Sequence, residues 1–256
     1  ARIDRLLEWT RANNMHLILD LHAAPGGQGN DLPISDRDPA KPSLWESAEN
    51  RRKTVGRWKR LAERYADEPG IAAYDILNEP NWDFDGPKQG NGCASKANAQ
   101  LWDFYREVIA AIRSVDRNHM VILEGNCWGN NYGGHDAPLD ANSALSFHKY
   151  WNRNDRASIE GHLALRDRLG LPLRLGETGE NSNVWFRDAI ALVEGEGIGW
   201  AWWPLKKIRY NNPLQVVPNP GWNALVAYWL GKGPKPSAAD AEAALMRLAA
   251  HDVRYE

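Results

Sequence analysis

Short apolar runs alternate with segments of helical period along nearly the whole chain, and this alternation narrows the possible folds more than any other feature. The runs are 16–21 (HLILDL), 71–77 (IAAYDIL), 120–123 (MVIL), 144–147 (ALSF), 173–175 (LRL) and 198–203 (IGWAWW). They are the length of strands, and several are apolar throughout rather than alternating, as strands buried on both faces are. Helical period occupies 2–13, 47–66, 97–115, 156–169, 183–194 and 222–230, and an Ala-rich helix is expected over 238–250. In 97–115, for example, Leu101, Phe104, Tyr105, Val108, Ile109 and Ile112 fall on one face. Strands that alternate with amphipathic helices imply a parallel sheet with right-handed crossovers. No linker of disordered composition interrupts the pattern, so residues 1–256 are expected to form a single domain.

Two parallel architectures compete. A doubly wound nucleotide binder carries a Gly-rich fingerprint that runs from its first strand straight into a helix. The candidate, Pro25-Gly26-Gly27-Gln28-Gly29-Asn30, lacks that spacing and leads into polar, Pro-rich sequence. Polar or catalytic-looking residues stand instead just past nearly every strand: His22, Asn78-Glu79, Glu124 to Asn126, His148 to Tyr150, Glu177 and Trp203. Strand ends that converge on one rim are the mark of an α/β (β/α)8 TIM barrel. Six βα units are visible where eight are needed, so the barrel is expected to be N-terminally incomplete, with a missing N-terminal segment supplying two strands.

Composition removes other classes. Lys+Arg number 31 and Asp+Glu 33, a formal charge of −2, which offers no electrostatic footprint for nucleic acid or an anionic membrane. No apolar run approaches the ~18 residues of a membrane span. Two cysteines, Cys93 and Cys127, exclude a disulfide-stapled scaffold and a Cys-based zinc cluster, and leave one bridge or none. Tryptophan is abundant, 13 against 4 Phe, and flat indole faces suit a groove that stacks sugar rings. Of the rim tryptophans Trp45, Trp82, Trp128 and Trp151, Trp128 is the leading candidate for such a platform. Trp9, Trp58, Trp102, Trp185 and Trp229 fall on helices and are expected to pack the core.

Glu79 and Glu177 each close a strand, on non-adjacent strands of one rim. Glycosidic bond cleavage needs one carboxyl to donate a proton and a second to attack or stabilise the sugar cation. Glu124 and Glu180 are rivals for these roles on position alone. Asp20 and His22 resemble a metal pair, but no His-x-His or barrel lysine accompanies them, so no metal and no cofactor is expected. The acidic pairs Asp36/Asp38 and Asp83/Asp85 read as solvated loops rather than calcium sites.

Leu77-Asn78-Glu79-Pro80, His148-Lys149-Tyr150, Gly176-Glu177 and Gly199-Trp200-Ala201-Trp202-Trp203, in that order, resemble glycoside hydrolase family 5 from about residue 3 to about 230. The resemblance implies that Glu79 is the general acid/base after the fourth barrel strand and Glu177 the nucleophile after the seventh. It implies that Asn78 binds the sugar 2-hydroxyl, that His22 lines the −1 pocket and that Trp203 forms its floor. His148 would orient Glu79, and Tyr150 would donate to Glu177. The first visible strand matches the family's third, and one absent strand carries an arginine that supports the nucleophile. The function implied is a retaining endo-β-1,4-glucanase acting on polysaccharide or oligosaccharide, secreted or extracellular because of its substrate. A β-1,3-glucanase, a mannanase, an exo-β-glucosidase and a non-catalytic carbohydrate-binding barrel remain alternatives.

Overall fold

The computed structural model describes residues 2–86, 88, 90–209, 211–250 and 253–255; residues 87 and 89 of the long 81–96 loop lie outside them. The chain divides into two compact units, one of Ala1–His148 with Ile159–Arg174, the other of Lys149–Ser158 with Leu175–Glu256.

The first unit runs α1 (Arg2–Ala12), β1 (Leu17–Asp20), α2 (Leu32–Ser35), α3 (Ala48–Tyr65), β2 (Ile71–Asp75), α4 (Ala99–Arg113), β3 (Met120–Glu124), the one-turn α5 (Asn126–Gly129), β4 (Ser143–His148) and α6 (Glu160–Leu169). Strands β1 to β4 pair in parallel and in chain order. The Leu145 N–H donates to the Pro172 carbonyl at 2.9 Å, which carries the sheet on to the head of β5 (Leu173–Thr178). The register sets Asp20 beside Asp75 and Glu124 beside Ser146, so the strands present their polar C-terminal ends at one edge.

Helix α3 starts at Ser47, whose side chain accepts from the Asn50 N–H, as an N-cap does. It buries Trp58 against Tyr74, ring centroids 5.6 Å apart, and the indole N–H finds the Ile76 carbonyl at 2.9 Å. Helix α4 buries the expected face, with Trp102 added. All six residues of β4 are buried, as a strand covered on both faces requires. Strand β1 differs: it alternates half-buried and exposed residues, because β2 is its one neighbour among the described residues.

In the second unit, β5 is followed by α7 (Asn183–Gly195) and β6 (Gly199–Trp202), which lies beside β5. The Trp203 N–H donates to the Thr178 carbonyl at 2.8 Å. A small sheet follows that the sequence pattern does not announce. In it β7 (Lys206–Ile208) pairs in parallel with β8 (Leu214–Val216), and β8 pairs antiparallel with β9 (Val253–Tyr255). Helices α8 (Pro220–Trp229) and α9 (Ala238–Ala249) precede β9, and α9 is the expected terminal helix, capped by Ser237.

The tryptophans divide differently from expectation. Trp58 and Trp102 are core, but Trp9 and Trp229 are 61% and 59% exposed on their helices. Trp45, on a rim loop, is buried: its indole N–H donates to the Gln28 carbonyl at 2.8 Å, and its ring meets Phe84 and Phe104 edge-on.

Candidate active site

In the first unit, Glu79 stands four residues past β2 with a φ of +43°, the left-handed region that side chains other than glycine occupy at a cost of about 1–3 kcal/mol. Two contacts hold it there. Its N–H donates to Glu124 Oε2 at 2.7 Å, and its carbonyl accepts from Asn81 Nδ2 at 2.9 Å. Its carboxyl Oε1 lies 2.6 Å from His148 Nδ1, and the other ring nitrogen, Nε2, lies 3.0 Å from Glu124 Oε1. Glu79, Glu124 and His148 thus form one buried cluster at the ends of β2, β3 and β4.

Asn78 is buried beside them, and its Nδ2 has no protein partner among the described residues. A buried donor left unmatched costs on the order of 1–3 kcal/mol, which a ligand oxygen would offset. The Asn78 carbonyl accepts from Gln28 Nε2 at 2.8 Å, and the same nitrogen donates to the His22 carbonyl at 2.9 Å. Fully buried Gln28 therefore ties the loop after β1 to the loop after β2. Nothing in the sequence marked it out, since it sits in a Gly-rich loop. The His22 ring lies 3.1 Å from Asp20, so these two side chains engage each other.

Trp128 follows β3 in a turn where both it and Cys127 have φ of 55°. Its N–H donates to the Pro80 carbonyl at 3.1 Å and its indole N–H to Asp31 at 3.2 Å. The pairing of the cysteines is settled: Cys93 and Cys127 form a disulfide that staples the 81–98 loop to this turn. Within that loop Asp83 accepts from the Gly90 and Gly92 N–H groups, and Asp85 from those of Lys96, Ala97 and Asn98. Both aspartates thus organise the loop. Trp82 lies under the Arg37 guanidinium, 4.9 Å from its ring centre.

Burial dominates the electrostatics below the cluster. Asp75 is pushed well above the ordinary carboxylate range by burial, then by the charges of Glu124 and Asp20, against the pull of Arg174, 3.4 Å away. Burial also raises Glu124, opposed by His148 and by the Glu79 N–H.

In the second unit, Glu177 is half-buried near the end of β5. Its Oε2 accepts from the Tyr150 hydroxyl at 2.7 Å, and its carbonyl accepts from the Lys149 N–H at 3.1 Å. Lys149 is pushed down to about 8 by burial, with its ammonium 5.2 Å from the Trp185 ring centre. Trp203 presents an exposed ring, and its carbonyl accepts from Asn212 at 3.3 Å. Gly179 is required here, because a Cβ would stand 2.3 Å from that carbonyl oxygen. Trp151 beside Tyr150 is 76% exposed. Glu180 pairs with Lys207, whereas Glu177 accepts from Tyr150.

The six predicted binding residues therefore fall into two groups. Asn78 and His148 meet Glu79 or its immediate neighbours, His22 is tied to Asn78 through Gln28, and Trp128 is held by Pro80. Tyr150 meets Glu177, and Trp203 is tied to the strand that carries it.

Comparison with known proteins matches residues 1–208 to the model of the cellulase family (glycosyl hydrolase family 5). Among curated relatives, a beta-xylosidase of Phanerodontia chrysosporium is 25% identical over 266 residues, covering 90% of this chain and 53% of its own. A probable glucan 1,3-beta-glucosidase A of Aspergillus fumigatus is 29% identical over 167 residues, covering 63% and 36%. Among solved structures, endo-glycoceramidase II from Rhodococcus sp. superposes with a TM-score of 0.63 at 17% identity, over 83% of this chain and 62% of that one. That likeness shows the fold: the six parallel strands of the larger sheet, β1 to β6, are those of a partial (β/α)8 barrel. The chain spans about half or less of the length of these curated relatives. With the family model covering most of its residues, the chain belongs to the cellulase family, glycosyl hydrolase family 5.

Proposed function

We propose that the chain carries the catalytic glutamates of a retaining β-glycanase, an endo-β-1,4-glucanase in the first instance. Glu79 is the general acid/base and Glu177 the nucleophile. In the first half-reaction Glu79 gives its proton to the glycosidic oxygen while Glu177 attacks the anomeric carbon. In the second, Glu79 takes a proton from water, which displaces the glycosyl ester. The observation that carries the reading is the Tyr150 hydroxyl on Glu177 Oε2 at 2.7 Å, since a phenol donating to a carboxylate favours the ionised, oriented form a nucleophile needs. The unmatched Nδ2 of buried Asn78 supports its role as donor to the sugar 2-hydroxyl. His22, Trp128 and Trp203 are assigned to sugar binding on their places beside these groups.

The family model's description as cellulase supports β-1,4-glucan as substrate. The relative named for glucan 1,3-β-glucosidase action supports a second reading, exo-cleavage of β-1,3-glucan. Six sheet strands against the eight of the fold support completion of the barrel by two βα units beyond those described. A polysaccharide substrate and the Cys93–Cys127 bridge support work outside the cell.

The decisive test is turnover of soluble β-1,4- and β-1,3-glucans, with the anomer of the first product read by NMR. Retention with mixed oligosaccharides supports the endo-glucanase, and glucose alone supports the exo reading. Inversion removes the two-step mechanism. Glu79→Ala is expected to lose polysaccharide cleavage yet act on an activated aryl glycoside, with azide giving the β-glycosyl azide. Equal loss on both substrates would refute the acid/base assignment.

A further inference from the structure

The two-glutamate mechanism leaves Glu124 without a task, although it is 1% exposed at the end of β3. Its two oxygens are both committed: Oε2 accepts from the Glu79 backbone N–H at 2.7 Å, and Oε1 lies 3.0 Å from His148 Nε2. An amide N–H only donates, so the Oε2 position demands an acceptor. Gly129 keeps that seat open, since a Cβ there would stand 3.3 Å from Oε2. We propose that Glu124 is a positioning residue for the proton of Glu79: one oxygen fixes the Glu79 backbone, and the other keeps a hydrogen on His148 Nε2, leaving Nδ1 to share the Glu79 proton. This rests on the acid/base reading of Glu79.

Glutamate suits the seat because both of its oxygens accept when ionised. Glutamine offers one acceptor and one donor. With its oxygen committed to the Glu79 N–H, its amide nitrogen faces His148 Nε2 and drives the ring hydrogen to Nδ1. His148 then donates to Glu79 and favours the carboxylate. Loss of the Glu124 charge acts in the same direction, because a nearby anion favours a protonated neighbour.

The other groups that face this cluster from the first unit are Asp20 on β1, with His22 on it, and Asp75 on β2, offset by Arg174. From α4 and the loop after β3, Tyr105 and Tyr132 present hydroxyls, but these bond the carbonyls of Glu124, Leu123 and Ser146 rather than the carboxyl. In the first half-reaction the proton that reaches the glycosidic oxygen comes from Glu79 alone, and water restores it in the second. His148 and Glu124 end each half-reaction with the protons they began with.

The test is ¹⁵N NMR of histidine-labelled full chain between pH 5 and 8, with His148 assigned from the signal lost in His148→Asn. Nε2 is expected to carry hydrogen throughout. In Glu124→Gln the hydrogen is expected on Nδ1. The basic limb of kcat/KM on a poor-leaving-group glucan is expected to fall by about one pH unit. The loss on that substrate should be at least about tenfold greater than on an activated aryl glycoside, for which proton donation matters less. A neutral Nδ1–H tautomer in the unaltered protein would overturn the proposal, as would an unmoved basic limb in Glu124→Gln. If that variant does not fold, the tautomer in the unaltered protein still decides. The tautomer does not depend on whether Glu79 is the acid, so failure of the Glu79→Ala rescue is separable from failure here.

Discussion

Acid should weaken the first unit through His135. The ring is 1% exposed, stacked on Trp102 with centroids 4.7 Å apart, and neither ring nitrogen has a hydrogen-bond partner among the described residues. Burial, and then the charge of Arg168, push it from 6.5 down to about 4. The folded state therefore holds a neutral ring over a range in which the unfolded chain takes up a proton. Stability is intact above pH ~6.5, falls as pH drops below that value, and stops falling near pH 4, where both states are protonated. The full shift corresponds to roughly 3 kcal/mol, of which about 2 kcal/mol is lost between pH 7 and pH 5. His135→Phe keeps the stacking and removes the titration. Urea unfolding at pH 7 and pH 5 should show the unaltered chain losing about 2 kcal/mol more than this variant. Equal losses would mean that water or a partner reaches His135 in the folded state, and the reasoning would fail.

Other perturbations have equally definite outcomes. Replacing Cys93 and Cys127 by Ser opens a loop closed across a separation of 34 residues. By chain entropy this should cost roughly 3–4 kcal/mol, read by denaturant unfolding against the oxidised protein, and a loss below ~1 kcal/mol would mean that the loop is held without it. Burial favours the protonated form of Asp75, so Asp75→Asn, which keeps the shape without the charge, should change stability at pH 7 by less than about 1 kcal/mol. A loss above ~3 kcal/mol would show an ionised Asp75 paired with Arg174 instead. Asp31→Ala frees the Trp128 indole N–H, and should raise KM for oligosaccharides several-fold with kcat little altered if Trp128 is a sugar platform.

Much of the fold was legible because the strands of a parallel sheet with helical crossovers are mostly apolar, even where, as in β1 and β6, they are only partly covered. The six runs mark β1 to β6, and their ends mark the polar rim. The run 173–175 stops early because β5 continues through Gly176, Glu177 and Thr178, where pairing with its neighbours rather than side-chain character keeps the strand going. Strands β7 and β8 are three residues each and mix charged, polar and apolar side chains, so no period can reveal them. Helix position did not decide the fate of a tryptophan either. Trp9 faces out on α1, whereas Trp45 turns inward from a loop because the Gln28 carbonyl and two phenyl edges await it.

The site was legible only as far as residue type and strand end could carry it. On those grounds Glu124 and Glu180 were equal rivals of Glu79 and Glu177. What separates them is contact: Glu180 is spent on Lys207, while Glu124 is turned onto His148 and the Glu79 amide. The register explains why such contacts are needed at all. Parallel pairing sets Asp20 level with Asp75, and the charge of Glu124 on β3 is felt at Asp75. Three acidic side chains on neighbouring strands would repel one another and resist burial unless each met a donor or took up a proton. Each does: Asp20 lies on His22, Asp75 on Arg174 with burial favouring its protonated form, and Glu124 on a ring nitrogen and a backbone N–H. The donor to Glu124 comes from a left-handed Glu79, so the strain at that backbone and the burial of that acid are compensated by the same hydrogen bond. A sequence shows the acids but not the sign of φ that supplies the donor, which is why the third carboxyl emerges as a support for the first only once the backbone is known.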